Sequence, residues 1–247
     1  MRFAKRRSTR IVLSSLVLSA SLLVSGSLLA GNTEGGASLR GKVSGWEKLL
    51  PQVYADAAKF DAHRFTWREP SPTVKQDFRR LSANVSRDVC IVAIGGAAAQ
   101  PHEPKIVKVT GGRVTPSTVV VSPGSRLSFK NADPFPHKLY EVNNASWAAN
   151  AMAPGASPRE WSSAAPGVHV IRDELFPSVV MFIVVEPNAV DFTYPDREGN
   201  FALTVPPGDY TLKAFFDGKP AGKPVDGVHV TDKGTELKEP MAVGDSK

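Results

Sequence analysis

From residue 105 onward the chain is written in short apolar runs that alternate with polar positions and stop at glycine or proline. "KIVKVTGG" ends at a glycine pair, "STVVV" at the turn "SPGS", and "VHVI" follows "APG". "RLSFK" and "HKLYEV" alternate polar and apolar residues as half-buried strands should. "NFALTV" and "DYTLKAFF" do the same on either side of "PPG", and "VDGVHVT" closes the series. "SVVMFIVVE" breaks the alternation: it is apolar almost throughout, which predicts a central strand covered on both faces. Upstream, "CIVAIGG" reads as a buried strand, with shorter β-type patches around Val43 and around Val53 and Tyr54. The one strong helical signal is "EPSPTVKQDFRRLSAN". Ser71 can cap it, Pro72 suits its first turn, and Val74, Phe78 and Leu81 share a face. Short strands separated by Pro/Gly turns, with a single short helix in the N-terminal region, predict a mostly β protein of sandwich type.

The first thirty residues have a different grammar. "MRFAKRRSTR" carries Arg2, Lys5, Arg6, Arg7 and Arg10 with no acid, and an apolar, serine-containing run to Ala30 follows. A basic start, an apolar stretch and small residues at its end read as a secretory signal. The run is also long enough to span a bilayer, so an uncleaved anchor stays open. The paired arginines fit a twin-arginine motif poorly, and no cysteine follows the run to carry a lipid. Residues 31–38, "GNTEGGAS", are expected to be a linker, and "AAAQPHEP" a second one.

Removing the leader changes the meaning of the charge. The whole chain carries +6, and five of those charges lie in the first ten residues, so the remainder is close to neutral. The basicity is thus an export device, and nucleic-acid binding is excluded as a reading. The expected location is the periplasm or the medium, with membrane contact only through the signal segment before cleavage. Cys90 is the single cysteine, so no internal disulfide forms; its apolar neighbours predict a buried thiol. No Ser-x-x-Lys, Gly-x-Ser-x-Gly, His-Glu-x-x-His or phosphate-cradling glycine loop occurs, and an enzyme is not expected.

The stretch from about 109 to 186 resembles the cupredoxin family, the β-sandwich of small blue-copper proteins. The residues that carry it are "VVVSPGSRLSFKNADPFPHKLYEV" with Asn131, Asp133 and His137, then "APGVHVI" and the final strand "FIVVE". The next stretch, "PNAVDFTYPDREGNFALTVPPGDYTLKAFFDGK", resembles carboxypeptidase regulatory-like modules through Asp196, Gly199, Phe201, Leu203, Pro207, Gly208, Tyr210 and Leu212. "LRGKVSG" is similar to the first strand of the same module. The resemblances imply a Greek-key, cupredoxin-like β-sandwich plus a smaller β-sandwich, and leave open whether the first is inserted in the second. The expected segments are 1–30 signal, 31–38 linker, 39–100 β-rich region with the helix, 101–186 cupredoxin-like domain, 187–235 regulatory-like module and 236–247 tail.

In the family's pattern one histidine lies early, as His137 does, and the Cys, second His and Met lie together before the last strand. That second half reads "RDELFPSVVMF", which places Asp173 at the thiolate, Phe176 at the imidazole and Val179 at the thioether position. With neither Cys nor a second His there, a type 1 copper centre is not expected. An alternative metal site would use His137 with Asp173 or Glu174 as partners, which would suit a harder ion. A second alternative is carbohydrate binding through Trp147 and Trp161, which flank a Pro/Gly/Ala/Ser-rich insertion. His102, His169 and His229 are scattered, the last two on strands. The function expected is therefore non-enzymatic binding or structural support, without cofactor, toward a protein or glycan partner in the cell envelope.

Overall fold

The computed structural model describes residues 36–50, 83–95 and 104–244. The leader, the helix predicted within 70–81 and His102 lie outside the described residues. The chain is mostly β; among the described residues there is one helical turn at Val85–Asp88, with 3-10 turns at Trp46–Lys48 and Ala145–Trp147.

The first sandwich is built from nine strands: β3 (Lys105–Thr110), β4 (Arg113–Val114), β5 (Thr118–Val121), β6 (Arg126–Asn131), β7 (His137–Glu141), β8 (Asn150–Met152), β9 (Arg159–Ser162), β10 (Gly167–Asp173) and β11 (Val180–Val185). They form two sheets, in the order β4-β3-β6-β9 and β5-β11-β10-β7-β8, and the chain passes repeatedly from one to the other in Greek-key fashion. The alternation in the sequence sets the inward face. Val107 and Val109 of β3, Leu127 and Phe129 of β6, Leu139 of β7 and Ile171 of β10 all enter one core. Met181, Ile183 and Val185 of β11 enter it too. Val184 points the other way and is also buried, because a second sandwich lies on that face. This two-sided burial is why β11 itself, "VMFIVV", carries no polar residue.

The second sandwich draws strands from both ends of the chain. β1 (Ala37–Ser44) pairs with β13 (Asn200–Val205) antiparallel, and with β17 (Thr235–Glu236) and β18 (Met241–Ala242) parallel. β2 (Val89–Gly95) lies between β12 (Ala189–Thr193) and β14 (Gly208–Phe216); β14 also pairs with β15 (Lys219–Pro220) and β16 (Val225–Val230). Leu39, Ile91, Leu203, Leu212 and Val230 form its core.

Two expected segments differ. Ala37 and Ser38, read as linker, open β1, because Ala37 shares the buried face with Leu39. Residues 236–247, read as a tail, include β17's last residue and β18. Met241 and Val243 are buried in the second core, and Val243 N–H donates to Ser44 O. The apolar pair at 241 and 243 is a strand's alternation too short to stand out.

The two sandwiches meet along a seam of Cys90, Val92, Val120, Val184, Ala189 and Phe215. Cys90 lies in β2, within this contact. Burial pushes its thiol up to about 12. Tyr194 hydroxyl donates across the seam to Thr118 O at 2.6 Å.

Candidate functional site

The alternation of β7 places His137, Leu139 and Glu141 inward, so two ionisable side chains face the core of the first sandwich. The same parity on β10 turns His169, Ile171 and Asp173 toward them. His137 and Asp173 meet at one end of this strand pair, and Glu141 and His169 at the other.

His137 is fully buried. Its Nδ1 lies 2.7 Å from Asp173 Oδ2, and its Nε2 lies 3.0 Å from Asp133 Oδ2. Both ring nitrogens are therefore engaged by carboxylate oxygens at once. The group is a buried Asp–His–Asp triad. The remaining carboxylate capacity is met by backbone. Asp133 accepts from the N–H groups of Gly111 and Gly112, and Asp173 from those of Lys138, Leu175 and Phe176. Gly111 and Gly112 both have positive φ, 62° and 64°, which glycine adopts without strain; their consecutive N–H groups thereby converge on one anion. Asn131 shapes the loop: its Oδ1 accepts from Asp133 N–H, and its Nδ2 donates to Phe135 O and Met152 O. Burial raises the Asp133 carboxyl, but the Gly112, Gly111 and His137 donors outweigh it and hold the group below its usual range.

Two aromatic rings cover the triad. Phe135 and Phe176 stack on each other at 4.7 Å between centroids, and their rings lie 5.3 and 4.9 Å from that of His137. Asp173 and Phe176, the residues at the expected thiolate and imidazole positions, therefore both touch His137. Val179 is buried one turn farther on, its N–H donating to Phe176 O. Glu174 is not part of the cluster: it is exposed and pairs with Lys138 at 3.6 Å.

The donor set does not fit a blue-copper centre. The side chains in contact with His137 include neither a thiolate nor a second imidazole, and both of its ring nitrogens are already engaged by carboxylates. Among the described residues no group of three or more His, Cys, Asp or Glu side chains is arranged to hold a metal ion.

No family model and no curated protein matches this sequence. Several solved structures are similar to part of it. Amicyanin from Paracoccus versutus is 14% identical, with a TM-score of 0.30, over 39% of this chain and 97% of its own. A purple cupredoxin from Nitrosopumilus maritimus is 17% identical, with a TM-score of 0.28, over 33% of this chain and 99% of its own. A copper-containing nitrite reductase from Thermus scotoductus is 18% identical, with a TM-score of 0.30, over 37% of this chain and only 24% of its own.

At the far end of β7, Glu141 Oε1 accepts from His169 Nδ1 at 2.6 Å. Its Oε2 accepts from Trp161 Nε1 and from Asn144 Nδ2, each at 2.8 Å. His169 Nε2 donates to Ala165 O at 3.1 Å. Burial raises the Glu141 carboxyl, but His169, Trp161 and Asn144 outweigh it and hold it low.

The two tryptophans proposed as a glycan platform are core residues instead. Trp161 is 2% exposed, and its ring meets the edge of His169 at 5.2 Å. Trp147 is 8% exposed; it packs on Phe129 at 5.5 Å, and the Arg159 guanidinium lies 3.8 Å over its ring. The segment between them forms β8 and β9, which close the edges of the two sheets, so neither ring has a face free for a sugar. Asp133, Glu141 and His169 were not singled out as site residues by sequence reasoning. The signal was present in the shared parity of His137, Leu139 and Glu141 along "HKLYE", and of His169, Ile171 and Asp173 along "GVHVIRD".

Proposed function

We propose that this chain is an exported, non-enzymatic binding or structural protein. In this reading its first sandwich is cupredoxin-like, and the Asp133–His137–Asp173 triad stands where a copper centre would lie. The observation that carries it is the double engagement of His137: both ring nitrogens are spent on carboxylates at 2.7 and 3.0 Å. The two carboxylates occupy the ring nitrogens that a bound metal would otherwise need. Export is supported by the basic start and apolar run of the first thirty residues. The second sandwich, in its regulatory-like reading, supports the first through the apolar seam and contributes no chemistry.

Copper titration tests the reading. The purified chain should bind no copper with the intense visible absorption of a thiolate complex, and elemental analysis should find no stoichiometric metal. A blue wild-type protein, or one equivalent of metal surviving dialysis against a chelator, overturns it. Asp173→Cys with Phe176→His and Val179→Met should create a coloured copper complex, because Asp173 and Phe176 already contact His137.

A further inference from the structure

The loops above the triad form an apolar tip with a basic edge. Pro134, Phe135, Pro136, Leu175, Phe176 and Pro177 lie side by side there. The prolines are exposed, Leu175 is 45% exposed, and the stacked rings are half-buried. The charged residues near these loops and the adjoining glycine turn that are not fully buried are Arg113, Lys130, Lys138 and Arg172 against Glu174, while Asp133 and Asp173 lie buried beneath the tip. Lys138 is half-buried beside Glu174, while Arg113, Lys130 and Arg172 are exposed. Arg113 and Lys130 belong to one sheet and Lys138 and Arg172 to the other, so cations are present on both sides of the sandwich at this end.

We propose that this tip docks on an anionic lipid surface, with Leu175 and the Phe-Pro segments entering the interface and the flanking cations meeting lipid headgroups. The geometry favours lipid over a protein partner. Two adjacent loops at one end of a sandwich make a projecting tip, and long basic side chains around it suit a planar, deformable, negatively charged surface. The rigid prolines hold the apolar side chains outward without a folding cost on docking. The inference goes beyond the proposed function and is independent of it, since a metal beneath Phe135 and Phe176 would leave tip and cations in place.

The test uses the full chain carrying Leu175→Cys, labelled with an environment-sensitive fluorophore. Cys90, buried at the seam, stays unlabelled. A second chain labelled at Asp232→Cys, on an exposed turn of the other sandwich, reports whether any response is local. With phosphatidylglycerol vesicles at low salt, the label at 175 should shift to the blue and the label at 232 should not. The shift should vanish with phosphatidylcholine vesicles, and should fall several-fold on adding Lys130→Glu and Arg172→Glu or raising the salt. The apolar leader cannot mimic this pattern, because it would attach the chain without moving the label at 175. An unchanged spectrum at 175 with anionic vesicles overturns the proposal, and so does a shift indifferent to lipid charge and to the two charge reversals. Cross-linking of the 175 position to an acidic protein, without response to vesicles, would assign the tip to a protein partner and overturn it equally.

Discussion

His137 and Glu141 lie four residues apart on the inward face of β7, and each reaches across to β10 for a partner of opposite kind. His137 takes Asp173 at 2.7 Å and Glu141 takes His169 at 2.6 Å. Between them the apolar pair Leu139 and Ile171 fills the core. The strand pair is therefore apolar in the middle and held at each end by a buried acid–histidine contact. That arrangement accounts for the fixed register of β7 on β10, since a slip of one residue would expose all four ionic groups' partners and turn Leu139 outward.

The triad predicts a large loss when its centre is removed. His137→Phe keeps a ring beneath Phe135 and Phe176 but leaves two buried aspartates without the imidazole they share. Breaking a buried pair in this way costs about 3–5 kcal/mol. Urea unfolding should show it. Apolar replacement of all three residues should not restore wild-type stability, because the backbone N–H groups that donate to Asp133 and Asp173 would then be buried without acceptors. A His137→Phe variant within about 0.5 kcal/mol of wild type would remove the triad from any structural account, since that is the scatter of ordinary surface substitutions.

The tryptophans predict loss of stability rather than loss of a ligand. Trp161→Ala removes a fully enclosed ring and the donor to Glu141 Oε2; Trp147→Ala removes the surface on which Arg159 and Phe129 pack. Each should cost about 3–5 kcal/mol of folding free energy. Denaturant melts of the two variants check this, and unchanged midpoints would return the rings to the candidate binding surface.

Much of the fold was legible in alternation. "RLSFK", "HKLYEV", "NFALTV" and "DYTLKAFF" each became a strand near the expected place, and the continuous apolar run at 178–186 marked the strand with a sandwich on either side. Strands of two residues, such as β15, β17 and β18, show no period long enough to read. Trp147 and Trp161 misled because a Pro/Gly/Ala/Ser-rich stretch looks like a loop, whereas β9 pairs there with β6 through Arg126–Ser162 and Leu127–Trp161. The site was half visible. His137 and Asp173 were named, but Asp133 depends on a contact from the turn at Gly111 and Gly112, and no local pattern encodes that meeting.

Acid should weaken the folded state through identifiable carboxylates. Asp133 and Glu141 are both held below their ordinary range, and Asp196 is held low by Asn200 and the turn backbone despite its desolvation. A carboxylate with a depressed folded value contributes stability that is complete above its unfolded value, about 4, and that is lost as pH falls through the lower folded value. Urea midpoints should accordingly stay level from neutral pH down to about 5 and drop below about 4. Glu141→Gln should start lower and flatten part of that fall. A midpoint that rises on acidification below about 4 would contradict the assignment.

The seam predicts a silent thiol. Cys90 is enclosed by Val92, Val120, Val184 and Phe215, contributed by both sandwiches, and burial pushes its thiol up to about 12. Because the thiolate is the reactive form, both access and ionisation oppose labelling. In native buffer at pH 8 a disulfide-exchange reagent should leave Cys90 unmodified over a period in which the chain in guanidinium chloride reacts completely. Intermediate denaturant then reads the seam itself. If the sandwiches part before they unfold, Cys90 labelling should precede the change in tryptophan fluorescence, to which Trp147 and Trp161 in the first core and Trp46 against the second contribute. If the chain unfolds as one unit, the two transitions should coincide. Rapid labelling without denaturant would mean that β2 and β11 are not packed together in solution, and the two-sided burial of Val184 would lose its explanation.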